Sequence, residues 1–219
     1  MTYHWQFGFL WEYRWLILGG LGVTLAFAIG TTLLGLAIGV LIGLGRLLGA
    51  AWLRVPLTGV VELFRCTPLL VQLVWLYYAL PVVSGIEISA YTAAGLALTL
   101  YVSSFYAEIF RGGVASIEIG QWDGARAVGM RRLQVLRRVV LPQAFRNMLP
   151  PIMNQAVIQL KNTSLISTVA VADLLYQGSV ITAASYRPLE VYTLVAALYF
   201  AVLFPMTRLA SYLERRLRF

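Results

Sequence analysis

The chain has 219 residues, of which 60% are hydrophobic and 12% are charged, and its mean hydropathy is +0.78. Soluble domains carry about a quarter charged residues, so this composition excludes an ordinary soluble globule and indicates an integral membrane protein. A single cysteine (Cys66) and a single histidine (His4) exclude an internal disulfide, a cysteine-based metal cluster and a bis-histidine haem site within the chain.

The first 15 residues lack the basic flank of a secretory signal peptide and are rich in aromatic side chains. These are Tyr3, Trp5, Phe7, Phe9, Trp11, Tyr13 and Trp15. Such a belt is typical of the headgroup level of a bilayer. We therefore expect residues 1–15 to form an aromatic interfacial segment and residues 16–219 to form a single transmembrane domain.

Apolar stretches long enough to cross a hydrocarbon layer of ~30 Å recur along the chain. The predicted spans are about Leu16–Leu44, Leu69–Val83 with its flanks, Tyr91–Phe110, Leu149–Val171 and Val191–Thr207. The pattern predicts an all-α integral membrane protein with about five transmembrane helices.

Basic residues cluster at 46–54, at 111–146 and in the tail. The tail cluster comprises Arg208, Arg215, Arg216 and Arg218. The connection after the second span, 84–89, contains Glu87 and no basic residue. Because basic loops stay in the cytoplasm, the N-terminus is expected outside and the C-terminus inside. The formal net charge of +8 thus reports topology rather than nucleic-acid binding, since the arginines flank apolar spans.

The first two spans contain residues suited to packing and to a polar pathway. Glycines at strict four-residue spacing in the first span predict a face for close helix association. They are Gly35, Gly39 and Gly43. Farther along, Glu62 and Arg65 stand three residues apart and are expected to form a local pair. Gln72 lies deeper, beyond a kink or cap near Pro68, and is a candidate for the substrate pathway.

The third predicted span carries Ser103 and Ser104, which are further pathway candidates. Hydrogen bonds between helices are the more frequent role of such serines. Near the cytoplasmic end of the span, Glu108 and Arg111 are expected to brace the start of the following loop.

The loop at about 112–142 differs from its surroundings. From Gly120 to Pro142 it carries five arginines among small and regularly spaced apolar residues. Asp123 is expected to begin a short helix, where an acidic group suits the helix dipole, and Gly129 to end it.

The first helix of the loop should be slim, because Gly124, Ala125 and Ala127 leave its backbone nearly bare. A second, basic and amphipathic helix is expected after Gly129, with Pro142 closing it. Its apolar face would comprise Leu133, Leu136 and Val140, with Arg131, Arg132, Arg137 and Arg138 facing elsewhere. A slim interfacial helix can enter a groove on another protein or contact only lipid headgroups, and the residues leave both open.

The fourth span contains the richest polar run, QAVIQLKNTSLIS. Gln155, Gln159 and either Asn162 or Thr163 recur at steps of four, on one helix face, and Ser164 extends the set of pathway candidates. Lys161 can pair with a substrate carboxylate, pair with an acidic neighbour, or snorkel to the interface. It is the only lysine and follows no glycine-rich run, so the chain cannot bind ATP through a P-loop.

The loop resembles the EAA loop of permease subunits of ABC importers, with Asp123, Gly124 and Ala125, then Gly129, then Leu141-Pro142. Other stretches resemble the polar amino-acid branch of these permeases. They are ELFRCTPLLVQL (62–73), YAEIFRGGV (106–114), LPQAFRNMLPP (141–151) and LKNTSLIS (160–167). The resemblance covers about residues 15–215.

This resemblance implies a type I ABC importer permease fold and a coupling helix that docks into a separate cytoplasmic ATPase. The implied coupling residues are Asp123, Gly124, Ala125, Arg126, Gly129 and Met130. The implied partners are two ATPase copies that bind ATP and Mg, a second identical or similar permease, an extracytoplasmic binding protein, and a polar amino acid. The chain would lie in the bacterial inner membrane, would not be an enzyme itself, and would hold no catalytic, metal or cofactor residues.

Three other functions compete with this interpretation. An ion-coupled transporter or channel subunit would need intramembrane carboxylates, for which only Glu108 and Asp173 qualify. A structural subunit would leave the polar face of the fourth span without a function. An ABC importer could also carry another small polar solute. An enzyme is the weakest alternative, because one cysteine and one histidine provide no nucleophile–base or metal-ligand set.

Overall fold

The computed structural model describes residues 3–217, so Arg218 of the predicted basic tail lies outside the described residues. A short 3-10 turn at Gly8–Trp11 precedes ten α-helical segments. These are α1 (Arg14–Leu48), α2 (Ala51–Cys66), α3 (Leu69–Val74), α4 (Leu80–Ser84), α5 (Ala90–Ala115), α6 (Ile119–Ala127), α7 (Arg132–Val135), α8 (Leu141–Asn162), α9 (Leu174–Ser185) and α10 (Pro188–Leu217).

Three of these helices are each long and apolar enough to cross a membrane: α1, α5 and α10. Two bent pairs bring the number to five if each pair is one span. One pair joins Ala51–Cys66 to Leu69–Ser84 at 105°, and the other joins Arg132–Val169 to Leu174–Ser185 at 47°. The all-helical prediction is confirmed, and the expected five spans require that both bent pairs cross.

The glycine stripe of α1 packs directly on α5, as predicted. A Cβ at Gly35 would lie 2.3 Å from Val102 Cγ1, and one at Gly39 would lie 2.8 Å from the carbonyl oxygen of Ser103. Since two non-bonded heavy atoms do not approach so closely, only glycine allows this contact. The α1–α5 pair therefore forms the central contact of the bundle.

The N-terminal segment is attached to the start of α10. The Tyr3 hydroxyl donates to Glu190 Oε2 at 2.5 Å, and the Gln6 amide donates to Glu190 Oε1 at 3.2 Å. Most of the aromatic rings of the segment are exposed, Trp11 being 73% exposed and Trp15 71%. The interfacial location of this segment stays a prediction.

The prediction that Pro142 closes a short helix is wrong. The chain turns through α7, a π turn at Leu136–Val140 and α8 as one continuous helix. Pro142 lies inside this continuous helix, directly after the π turn, whose wider spacing accommodates a residue that has no N–H. The basic segment is therefore the first part of a long helix.

Candidate functional site

The candidate coupling helix is α6, and it begins earlier than the sequence predicts. Glu118 occupies the N-cap position, so Asp123 lies in the middle of the helix rather than at its start. Ile119 and Gly120 already belong to the first turn of α6, upstream of Asp123. Asp123 is exposed and pairs with Arg126 at 3.5 Å, one turn later.

Gly129 ends α6, as predicted. Its φ is +79°, a left-handed conformation that favours glycine. The Gly129 amide donates to the carbonyl of Arg126 at 2.9 Å, and the Met130 amide donates to that of Ala125 at 3.2 Å. This pair of bonds is a Schellman motif, which satisfies the last carbonyls of the helix and turns the chain back towards α7.

The six predicted coupling residues divide between two faces of α6 and its end. Ala125 is only 8% exposed and packs in a core cluster with Phe110, Val135 and Val140. Met130 packs on the edge of that cluster. The exposed members are Asp123, Gly124, Arg126 and Gly129. Ala125 thus anchors the helix to the bundle, and the other four present the surface that a partner can reach.

The predicted apolar face of the basic segment is partly wrong. Leu136 and Val140 are buried, but Leu133 is 66% exposed. Val135, 1% exposed, takes the inward position instead. The π turn explains the difference, because its wider pitch shifts the register between the two halves of the segment.

The polar face of α8 lies inside the bundle, as the four-residue spacing predicts. Gln155, Gln159 and Thr163 are 6%, 0% and 0% exposed, whereas Asn162 is half-buried. Gln159 Nε2 donates to Thr31 Oγ1 at 2.8 Å and to the Leu98 carbonyl at 3.2 Å. These bonds place Gln159 in the interface of three helices, α1, α5 and α8.

The other two candidates of this run face outward or bond locally. Lys161 is exposed. Among residues 3–216, no carboxylate lies within ion-pair distance of Lys161. The Ser164 hydroxyl donates to the Lys161 carbonyl at 2.8 Å within the same turn.

The two serines of α5 bond within their own helix rather than to a neighbour, contrary to the interhelical role expected for them. Ser103 Oγ donates to the Leu100 carbonyl at 2.9 Å and Ser104 Oγ to the Tyr101 carbonyl at 2.6 Å. Both side chains are 2% exposed. The backbone of Ser103 lies against Gly35 and Gly39 of α1.

The Gln72 side chain stabilises the break between α2 and α3. Its Nε2 donates to the carbonyls of Phe64 at 2.8 Å and Thr67 at 2.9 Å, which end α2. The side chain is 7% exposed. The predicted break near Pro68 is confirmed, and Gln72 holds it in place by capping the preceding helix.

Glu108 is the centre of an ion network that ties three helices. It accepts from Arg111 Nε at 2.8 Å and from Arg46 Nη1 at 3.2 Å, and Arg65 Nη1 lies 4.0 Å away. Arg65 also pairs with Glu62 at 3.2 Å, which confirms the predicted local pair.

The sequence predicted the contact of Glu108 with Arg111 but not the contact with Arg46, which lies on α1, 62 positions earlier. The only signal for it was its position at the end of an apolar span, three residues after Gly43.

Asp173, one of the two carboxylates that an ion-coupled function would require, is the N-cap of α9. Its Oδ1 accepts from the Tyr176 amide at 2.9 Å, and the side chain is fully buried. Leu174 at the same helix start donates its amide to Thr24 Oγ1 of α1 at 3.1 Å. The carboxylate therefore has a local role in starting the helix.

A groove of about 380 Å³ lies between α2, α5 and α8, next to the ion network. It is lined by Arg65, Phe105, Glu108, Ile109, Gly112, Pro151, Asn154 and Gln155. Of the predicted pathway residues, only Gln155 lines it. The structure thus brings Gln155 together with Arg65 and Glu108, which the sequence had assigned to local ion pairs.

Sequence comparison identifies the family of this bundle. The family described as "Binding-protein-dependent transport system inner membrane component" matches residues 35–219. The chain belongs to this family. The resemblance drawn from the loop motifs is therefore confirmed, and the protein is an integral membrane permease subunit.

Individual permeases resemble the chain over nearly its whole length. It is 36% identical over 216 residues to the glutamine transport system permease protein of Escherichia coli (strain K12), covering 96% of this chain and 98% of that protein. It is 36% identical over 214 residues to the octopine transport system permease protein of Rhizobium meliloti, covering 94% of this chain and 87% of that protein.

Solved structures confirm the predicted type I importer fold. The crystal structure of an amino acid ABC transporter with histidines matches with a TM-score of 0.92 at 34% identity, covering 99% of this chain and 100% of that chain. The methionine ABC transporter MetNI, in an inward-facing conformation, matches with a TM-score of 0.77 at 22% identity, covering 94% and 97%. The second match supports the fold alone.

Proposed function

We propose that this permease forms half of the translocation pathway for a polar amino acid in an ATP-driven importer. The observation that carries the proposal is the full-length similarity to permeases named for amino-acid transport. The glutamine permease is 36% identical over 96% of the chain, and an amino acid ABC transporter superposes with a TM-score of 0.92. Glutamine, the cargo in the name of one relative, is a small polar solute.

The motor of this importer is a separate ATPase that binds ATP and Mg and docks on α6. The slim outer face of α6 supports this role, since a Cβ added at Gly124 would meet no atom within 4 Å. Ala125 and Met130 hold the helix on a core shared with Phe110 of α5 and Met148 of α8. Movement of α6 by two ATPase copies would therefore reach the helices that line the pathway.

The end of the bundle that carries α6 faces the cytoplasm, and the N-terminus lies outside, in a bacterial inner membrane. The basic residues at 111–146 and in the tail support this orientation.

A second permease, identical or similar, completes the pathway, and a binding protein delivers the solute from outside. An exposed apolar groove lies on α3 and on the π turn at Trp75–Ala79 that follows it. It is lined by Leu70, Val71, Val74, Trp75, Tyr78 and Ala79, and it supports contact with a second apolar surface.

Purification of the tagged chain from mild detergent tests the proposal, with all co-purifying chains identified by mass. Gly124→Trp adds bulk to the outer face of α6 without backbone strain, and Gly22→Trp is the matched control, because a Cβ at Gly22 of α1 also meets no atom within 4 Å. We expect a P-loop ATPase with the wild type and with Gly22→Trp, and its loss with Gly124→Trp. Recovery of the chain alone, competent for ion-driven uptake, would refute the ATP-driven function.

A further inference from the structure

Five exposed arginines lie on the helical segment that follows α6. They are Arg131, Arg132, Arg137, Arg138 and Arg146. Residues 131–146 contain no aspartate or glutamate. Among the side chains that the structure describes, at residues 3–216, none of the five arginines forms an ion pair with a carboxylate. This segment therefore carries a cluster of uncompensated positive charge on the surface of the bundle.

The segment has a buried face and an outward face. The buried residues recur at steps of four and pack in the core cluster that contains Ala125 of α6. They are Leu136, Val140, Ala144 and Met148. Arg138 and Phe145 lie on the outward face, and Phe145 is 57% exposed. Guanidiniums beside an exposed aromatic ring are typical of an amphipathic helix at a membrane surface.

The outward face is directed away from α6. Gln143 and Phe145 are two residues apart, so they lie on nearly opposite sides of a helix that turns by about 100° per residue. The Gln143 side faces α6, because Gln143 Nε2 lies 3.3 Å from Gln121 Oε1 of that helix. Since the ATPase is proposed to dock on α6, the side of Phe145 is not the side that the ATPase approaches.

The arginines also lie beside a candidate membrane span. The helix that begins at Arg132 continues to Val169 and belongs to a bent pair that is long and apolar enough to cross a membrane. About four to eight basic residues beside a span or on an amphipathic helix are typical of binding to anionic lipid. Each arginine near such a surface strengthens binding by about fivefold.

We propose that the outward face of residues 131–146 binds anionic phospholipid. The guanidiniums of Arg137 and Arg138 bind headgroup phosphates through paired N–H groups, and the Phe145 ring lies at the boundary with the acyl chains. Lipids with a net negative charge are selected over zwitterionic ones, because the segment supplies no anion of its own. The lipid surface does not depend on import of an amino acid. It makes the segment on which α6 packs sensitive to the charge of the surrounding membrane.

The test measures binding of radiolabelled phosphatidylglycerol to the complete complex of permease and ATPase in neutral detergent, with unlabelled phosphatidylcholine as competitor. The variant Arg137→Gln with Arg138→Gln removes two charges from the outward face. Arg137→Lys with Arg138→Lys keeps both charges. The control Arg215→Gln with Arg216→Gln removes two exposed charges from the end of α10.

We expect the wild type to prefer phosphatidylglycerol, and its affinity to fall by about tenfold or more in the glutamine variant of Arg137 and Arg138. The lysine variant should retain most of the affinity, since the charge remains. High salt should weaken binding by the wild type more than binding by the glutamine variant. Thermal stability without phosphatidylglycerol should be unchanged, because neither arginine has an ion-pair partner among residues 3–216.

The α10 control should lose less affinity, because Glu214 precedes its two arginines, whereas residues 131–146 contain no carboxylate. An equal loss in this control, or unchanged affinity in the glutamine variant of Arg137 and Arg138, would overturn the proposed lipid surface. Loss of the ATPase from that glutamine variant during purification would assign the segment to the ATPase and would overturn the lipid surface too. ATP-driven uptake by the wild type tests the importer separately.

Discussion

Gln159 of α8 donates its side-chain amide to the hydroxyl of Thr31, 128 positions earlier on α1, at 2.8 Å. The same amide donates to the Leu98 carbonyl of α5 at 3.2 Å. One fully buried side chain therefore joins the three helices at the centre of the permease. The Thr31 hydroxyl in turn donates to the Phe27 carbonyl at 2.7 Å, so the contact has a fixed direction.

Gln159→Leu should destabilise the permease by about 1 kcal/mol, because it removes two buried interhelical hydrogen bonds and keeps the volume nearly constant. Thermal unfolding in detergent measures the effect. Gln155→Leu is the matched comparison, one turn earlier on the same face, with an amide nitrogen that has no partner. Equal unfolding temperatures for the two variants would show that the Gln159 contact contributes nothing.

Gly39→Ala should destabilise the α1–α5 contact by about 1–3 kcal/mol, as for other overpacked cores. The added Cβ would meet Tyr106 Cβ at 2.6 Å and the Ser103 carbonyl oxygen at 2.8 Å, and backbone atoms cannot move aside as a flexible side chain can. Gly22→Ala on the same helix serves as control, since its Cβ meets no atom within 4 Å, and alanine there should be neutral or stabilising. Loss of stability in both variants alike would contradict the packing argument.

These contacts show what the sequence could and could not predict. The four-residue glycine spacing of α1 predicted a packing face, because helix periodicity alone places those residues in line. Gly129 was predictable as a helix end for a similar local reason. The partner of Gln159 could not be predicted, since Thr31 lies in a different span and no local pattern links the two.

Long-range ion pairs and helix continuity were also beyond the sequence. Arg46 joins Glu108 only because α1 and α5 pack together at their ends. Proline usually stops a helix, so the sequence predicts an end at Pro142, and the π turn that lets the helix continue leaves no clear mark in the sequence. The groove that Arg65 and Gln155 line is formed by residues of three helices, so no pattern within a single helix could indicate it.

Gly129→Ala should loosen the end of α6 at a cost of about 1 kcal/mol, because alanine is strained at a φ of +79°. Hydrogen exchange of the amides in Ile119–Ala127 should become faster. Gly124→Ala changes the same residue type in an ordinary helical conformation and should slow that exchange. Gly129→Asn should lie closer to the wild type, since asparagine tolerates the left-handed region. A slower exchange in Gly129→Ala would contradict the assigned helix end.

Glu108→Gln should destabilise the permease by about 2 kcal/mol or more. The change leaves Arg46, whose side chain is 9% exposed, without its anionic partner. Glu62→Gln is the control, because the Glu62 side chain is 49% exposed and an exposed pair contributes about 0–1 kcal/mol. Thermal unfolding of both variants measures the difference.

The double variant Arg46→Met with Glu108→Gln tests whether Arg46 is the reason for this loss. Removing both members of a buried pair costs less than removing one, since no uncompensated charge remains. The double variant should therefore be more stable than Glu108→Gln alone. A further decrease in stability would mean that the two residues act independently.

The most direct test of ATP-driven import through α6 is uptake of labelled L-glutamine, L-histidine and L-arginine into liposomes that contain the complete complex with its binding protein. We predict uptake by the wild type and by Gly22→Trp only when ATP is present on the side of α6, and its loss in Gly124→Trp. Uptake that continued without ATP and was abolished by an uncoupler would contradict the account, and so would full ATP-driven uptake by Gly124→Trp.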